Sequence, residues 1–169
     1  MEWINKSRIL IVGLGLMGGS YAKALKRIGY HVSAIDRNDA SIKYAIDNGL
    51  INEGSTVADD ELVSKADTII FALYPKAVVE WIKDNQHKFK SGIKITDVTG
   101  VKNNIIYDIQ DILREDVEFI AAHPMAGREV SGVENADERI FRDANYIVVP
   151  TDRNTDAAIK WFSNLGGIL

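Results

Sequence analysis

Cysteine is absent from the 169 residues, so the chain can hold neither a disulfide framework nor a thiolate metal site, and a reducing cytoplasm is the expected setting. Histidine is scarce: His31, His87 and His123 are the three. No two of them have zinc-site spacing and no His-Glu-x-x-His segment occurs, so no metal is expected. Positive charge is not in excess either. A net charge of −4 and a pI near 5.4 argue against a general attraction to nucleic acid or anionic membrane. No apolar run approaches the roughly 20 residues of a membrane span, and the opening MEWINKSR lacks the long apolar core of a signal peptide. Neither a solenoid-type repeat nor a low-complexity linker interrupts the chain, so residues 1–169 read as one domain. With 46% hydrophobic and 26% charged residues, the composition is that of an ordinary globular protein rather than a disordered one.

What is present is concentrated first in ILIVGLGLMGG, residues 9–19. An apolar run turns into closely spaced glycines and then into a helical pattern. Gly13, Gly15 and Gly18 form G-x-G-x-x-G directly after a strand predicted over residues 8–12. In a Rossmann βαβ unit the first glycine permits the turn, the second lets backbone approach a pyrophosphate, and the third lets helix and strand pack closely. The helix N-terminus then offers unpaired N–H groups and partial positive charge to the phosphates. Gly13, Leu14, Gly15, Leu16, Met17 and Gly18 are therefore the candidate cofactor-binding stretch.

A second strand is predicted over residues 31–35, and Asp36 stands at its end, 18 residues after Gly18. An acidic side chain there accepts hydrogen bonds from the adenosine ribose hydroxyls and repels a 2′-phosphate, which favours NAD over NADP. Arg37 pulls the other way, because a guanidinium is what an NADP site uses.

The rest alternates. Helices are predicted over residues 16–28 and 39–48, each stopped by a glycine, then after the acidic run Asp59, Asp60 and Glu61, after Pro75, over 103–113 and over 155–165. Strands are predicted faintly over 50–53 and clearly over 68–73, 93–96, 117–121 and 146–149, and residues 166–169 read as the opening of one more. This alternation predicts a doubly wound α/β domain, a mostly parallel sheet with helices on both faces. In such a sheet Leu73 and Tyr74, at the end of the 68–73 strand, are candidates to touch the dinucleotide. Of the histidines only His123, after a buried strand and before Pro124, is placed like a catalytic group, although a histidine there can also simply satisfy backbone carbonyls.

GLGLMGGS, then DVTGVK, then AAHPMAGREVSGVENA, in this order, resemble the nucleotide-binding half of the prephenate dehydrogenase family. The glycine loop is shared by many dehydrogenases, whereas HPMAG followed by glutamate and S-G-V-E is far more specific. The resemblance implies NAD-dependent oxidation of prephenate, with loss of its ring carboxylate as carbon dioxide, to 4-hydroxyphenylpyruvate in tyrosine biosynthesis; some members take arogenate instead. It makes His123 the group that accepts the hydroxyl proton as the hydride leaves. The turn before Lys102 in the family more often reads Gly-Ser, with a serine hydroxyl near the nicotinamide. Here it reads Thr99-Gly100, so Thr99 is the candidate to supply that hydroxyl. Glu129 matches an acidic residue at the mouth of the family's active site, a candidate for substrate contact. The family's second domain, all helical, closes the cleft, supplies an arginine for a substrate carboxylate and forms a homodimer; no counterpart to it is recognised in these 169 residues.

Two other readings compete. A β-hydroxyacid dehydrogenase shares the glycine loop, but such enzymes place a lysine on the second domain as acid/base, and HPMAG speaks against it. A non-catalytic NAD-binding or sensing module is the rival from a different class.

Overall fold

Strand β1 (Arg8–Val12) is buried on both faces. Ile9 and Ile11 enter one core and Leu10 and Val12 the other, which is why the run is apolar without alternation. It lies inside a sheet, flanked on both sides by other strands, in the computed structural model, which describes residues 7–100 and 105–169. The opening residues 1–6, together with Val101, Lys102 and the start of the predicted helix at Asn103, lie outside the described residues.

Parallel strands β2 (His31–Ile35), β3 (Glu53–Ser55), β4 (Thr68–Phe71), β5 (Lys94–Asp97) and β6 (Glu118–Pro124) join β1, and β7 (Tyr146–Val149) closes one edge antiparallel to β6. The order is β3-β2-β1-β4-β5-β6-β7. The chain leaves β1 toward β2 and returns on the other side to β4, so a crevice opens at the C-terminal ends of these strands, at the topological switch point. Helices α1 (Leu16–Arg27), α2 (Asp39–Asp47) and α6 (Asp156–Ile168) cover one face. Helices α3 (Asp60–Lys65), α4 (Pro75–Asn85) and α5 (Ile105–Ile112) cover the other. Polar side chains cap three of the helices. Asn38 accepts from the Ala40 N–H, Asp59 from those of Glu61 and Leu62, and Thr155 from that of Ala158. Among the described residues no helix is long and apolar enough to cross a membrane.

Three expectations are corrected. Residues 166–169 do not open a strand, because α6 continues to Ile168. Gly166 is there for close packing: a Cβ on it would stand 2.3 Å from Tyr146 Cδ1. The faint third strand lies at Glu53–Ser55 rather than 50–53; Leu50 and Ile51 are buried in the core instead. Finally, β6 runs past Ala121 through Pro124, held by antiparallel pairing of His123 with Ile147 and Pro124 with Tyr146. His123 is thus a strand residue, not a loop residue.

Candidate active site

The turn after β1 is built by backbone. Gly13 has φ +101°, and a Cβ on it would lie 2.5 Å from the Ala72 carbonyl oxygen, so conformation and space both demand glycine. At Gly18 a Cβ would fall 1.8 Å from the Gly13 carbonyl oxygen; this is the contact that seats α1 on the turn. Gly15 is different. Nothing stands within 4 Å of a Cβ built there, and the residue lines a cleft of about 1060 Å³. Glycine at this point leaves room for a ligand. It is also the residue preceding α1, with no side-chain cap and no acidic residue in the first turn, so the helix end stays electropositive and its first amides stay uncapped by side chains.

Asp36, at the end of β2, ties this turn to its neighbour. Its Oδ2 accepts from the Leu14 N–H at 2.6 Å and its Oδ1 from the Asn38 N–H at 2.8 Å. A carboxylate has about four lone-pair positions, so two remain for a ribose edge. Asp36 and Arg37 both line the cleft, as do Leu16, Met17 and Leu73. Leu14 does not: its side chain is buried in the core and its amide is engaged by Asp36, so its contribution is to hold the turn. Tyr74, 87% exposed, stands on the lip. The far wall is α4, through Glu80, Trp81, Asp84 and Asn85.

The other end of the cleft is built by side chains. Strand β5 ends in Asp97, which is fully buried and accepts from both the N–H and the hydroxyl of Thr99. Thr99 lines the cleft, but its hydroxyl is turned back onto Asp97. The Val98 N–H is fixed to the sheet through the Phe71 carbonyl at 3.1 Å. The Val98 carbonyl in turn lies 3.2 Å from His123 Nδ1. A carbonyl can only accept, so the neutral imidazole carries its proton on Nδ1 and leaves Nε2 with the lone pair. His123 does not line this cleft; it lines a second, shallower hollow of about 520 Å³ with Met125, Ala126 and Gly127. Glu129 is exposed and lines neither hollow.

The segment between His123 and β7 is pinned to α1. Ser20 Oγ donates to the Leu16 carbonyl and accepts from the Asp137 N–H at 3.0 Å. The Asp137 carboxylate then pairs with Arg128 and Arg139, at 2.8 Å each. The Arg139 side chain beside it, aided by the Arg139 N–H and by Arg128, holds the Asp137 carboxyl well below the usual range. The pin keeps Val130, Ser131 and Gly132 over the glycine turn, where they line the same cleft. Sequence reasoning missed this arrangement and Asp97, because neither carries a local pattern.

A parallel sheet with a glycine turn, an open helix N-terminus and an acidic residue at the second strand defines a dinucleotide-binding Rossmann domain. Comparison with known proteins narrows this. Residues 21–166 match the family described as "Prephenate dehydrogenase, nucleotide-binding domain", and the chain belongs to that family. Prephenate dehydrogenase of Bacillus subtilis is 33% identical over 95% of this chain and 44% of its own length. The crystal structure of prephenate dehydrogenase from Aquifex aeolicus superposes with a TM-score of 0.87 at 30% identity, covering 95% of this chain and 58% of that one. Synechocystis arogenate dehydrogenase gives a TM-score of 0.85 at 25% identity over 94% of this chain and 55% of its own. The chain thus spans about half the length of the relatives it matches.

Proposed function

We propose that this chain is the NAD-binding half of an NAD-dependent prephenate dehydrogenase, acting in a reducing cytoplasm, with a helical second half completing the cleft and the dimer as the resemblance implies. The family match carries the reaction, and an Aquifex aeolicus relative of TM-score 0.88 is described in complex with hydroxyphenyl propionate and NAD+. The observation that carries the role of this chain is the bond from His123 Nδ1 to the Val98 carbonyl, which leaves Nε2 as a base next to Gly100, a residue of the dinucleotide cleft wall.

Gly13 to Gly18 and the α1 terminus hold the pyrophosphate, and Asp36 holds the ribose. Bound NAD supplies the hydride acceptor. His123 Nε2 accepts the proton of the substrate's ring hydroxyl as the carbon beneath it loses hydride; the ring then aromatises as its carboxylate leaves as carbon dioxide, so the protein's task is to remove one proton and to hold geometry. Thr99 contributes through its backbone and its bond to Asp97, and Glu129 meets substrate only where the cleft is closed.

Two measurements test the reading. Titration of the chain with NAD and NADP is expected to give tighter binding of NAD; a clear preference for NADP would transfer the ribose site to Arg37, and binding of neither would remove the cofactor site. Turnover of prephenate and of arogenate by the protein that includes this chain separates the two substrates. Binding of NAD without turnover of either would leave a non-catalytic nucleotide-binding module.

A further inference from the structure

Six of the arginines, Arg8, Arg27, Arg114, Arg128, Arg139 and Arg153, pair with a carboxylate. Arg37 and Arg142 do not, and among the described residues neither side chain has a hydrogen-bond partner. These are also the two arginines that line a hollow: Arg37 the dinucleotide cleft, Arg142 the shallower one that it shares with His123. In a chain with 24 aspartates and glutamates for 20 lysines and arginines, a guanidinium left without a carboxylate is open to an anion from outside. The backbone that carries Arg142 is firmly held. Phe141 is buried and packs edge-on against Tyr21, with ring centroids 5.0 Å apart. The Arg142 N–H donates to the Arg139 carbonyl at 3.2 Å and the Ala144 N–H to the Phe141 carbonyl at 3.1 Å. Across the hollow the Met125 N–H donates to the Asn145 carbonyl at 2.7 Å, so the strand end that bears His123 and the turn that bears Arg142 keep a fixed spacing. Asp143, with φ +59°, bends the chain there in a conformation that aspartate tolerates. It lines the same hollow, yet no ion pair joins it to Arg142 among the described residues.

We propose that Arg142 binds the side-chain carboxylate of the substrate, which makes the hollow it shares with His123 an anion subsite beside the dinucleotide cleft. The proposal rests on the reading of the chain as part of a prephenate dehydrogenase with His123 as the base. Prephenate carries its hydroxyl at one end of the ring and two carboxylates at the other, one on the ring itself and one on a short side chain. A substrate that sets its hydroxyl on the imidazole can therefore set its anionic end on the guanidinium, with Met125 and Ile140 supplying apolar lining for the ring. The two carboxylates are not equivalent. The ring carboxylate leaves as carbon dioxide, so a guanidinium fixed on it would stabilise the ground state more than the transition state and slow the reaction. The side-chain carboxylate keeps its charge throughout. Holding it lowers KM at no such cost, and the planar fork of arginine matches it through two parallel hydrogen bonds.

The test is steady-state kinetics of the full-length protein at saturating NAD, with hydroxyphenyl propionate, which has the side-chain carboxylate and no ring carboxylate, as the competing ligand. Arg142→Gln is expected to raise the KM for prephenate and the inhibition constant of hydroxyphenyl propionate together, each on the order of tenfold. It should lower kcat far less and leave the Kd for NAD and the thermal midpoint in place, because the side chain is exposed. Arg142→Lys keeps the charge without the fork and should fall between the two, whereas Arg142→Glu should raise both constants on the order of a hundredfold. Asp143→Asn keeps a residue that tolerates positive φ and removes the carboxylate that lines the hollow, so it should move both constants the other way. An unchanged KM in Arg142→Gln would overturn the proposal. So would a rise for prephenate with the inhibition constant unmoved, which would put the guanidinium on the ring carboxylate, or a matching loss of NAD affinity and thermal midpoint, which would make Arg142 structural. The unmodified protein separates this proposal from the reading beneath it. If it neither turns over prephenate nor binds hydroxyphenyl propionate by calorimetry, the reaction is wrongly assigned and the subsite falls with it; if it does both and Arg142→Gln is silent, only the role of Arg142 fails.

Discussion

The two ends of the cleft are made of different materials. At the Asp36 end the site is backbone: a positive-φ glycine, a helix terminus and amides, with one carboxylate tying two strand ends together. At the Thr99 end, next to His123, it is side chain and long-range. Asp97 holds Thr99, Val98 holds the imidazole, and Ser20, Asp137 and Arg128 hold the segment that follows. The first end serves any dinucleotide enzyme; the second can be exchanged to suit a substrate. Binding and chemistry should therefore come apart under mutation.

The sharpest break is His123→Asn in the full-length protein. Asparagine can still donate to the Val98 carbonyl but cannot accept the proton, so kcat should fall on the order of 10²–10⁴-fold, while the Kd for NAD, measured calorimetrically, changes far less. A parallel loss of NAD affinity would mean that the two ends are one structural unit. Next in size is Gly18→Ala. The new methyl meets backbone at Gly13, which cannot rotate away, and overpacking of this kind costs about 1–3 kcal/mol. Weakening of NAD binding by roughly tenfold or more is expected, with a lower thermal midpoint; unaltered binding would show that the turn has more slack than its contacts allow.

Asp36→Ser should act at the ribose alone, narrowing the preference for NAD over NADP on the order of tenfold by removing a charged acceptor and the repulsion of a phosphate. The same change frees the Leu14 N–H, so some loss of NAD affinity accompanies it. An unmoved NAD-to-NADP ratio would place the discrimination elsewhere on the cleft wall.

The smallest effect is expected at the pin. Because Arg139 and Arg128 depress the Asp137 pKa, its stabilisation is fully present above the ordinary aspartate value near 3.9 and is lost as pH falls below that through the lower folded value. Asp137→Asn should lower the thermal midpoint at pH 6, with the two proteins converging as the pH is taken below about 3. A constant gap across that range would mean that the carboxylate is not the acid-sensitive group.

The amino-acid sequence by itself determined the parts that depend on neighbours in the chain. The glycine turn, the helix caps at Asn38, Asp59 and Thr155, and the alternation that makes a parallel sheet are each set by a few consecutive residues, because φ, excluded volume and unpaired amides are local quantities. Membership of the family was likewise legible in HPMAG and the residues after it. Tertiary structure decided where side chains end up. Thr99 looked like a free hydroxyl until the buried Asp97 took it, and Leu14 like a cofactor contact until Asp36 took its amide from 22 positions away. Residues 166–169 looked like the opening of a strand until α6 ran on to Ile168, with Tyr146 packed where a Cβ of Gly166 would lie. His123 owes its tautomer to a carbonyl 25 positions distant, and Ser20 meets the Asp137 amide across 117. A hydrogen-bond partner supplied by another strand leaves no mark on the residues next door; only the folded sheet brings the two within reach.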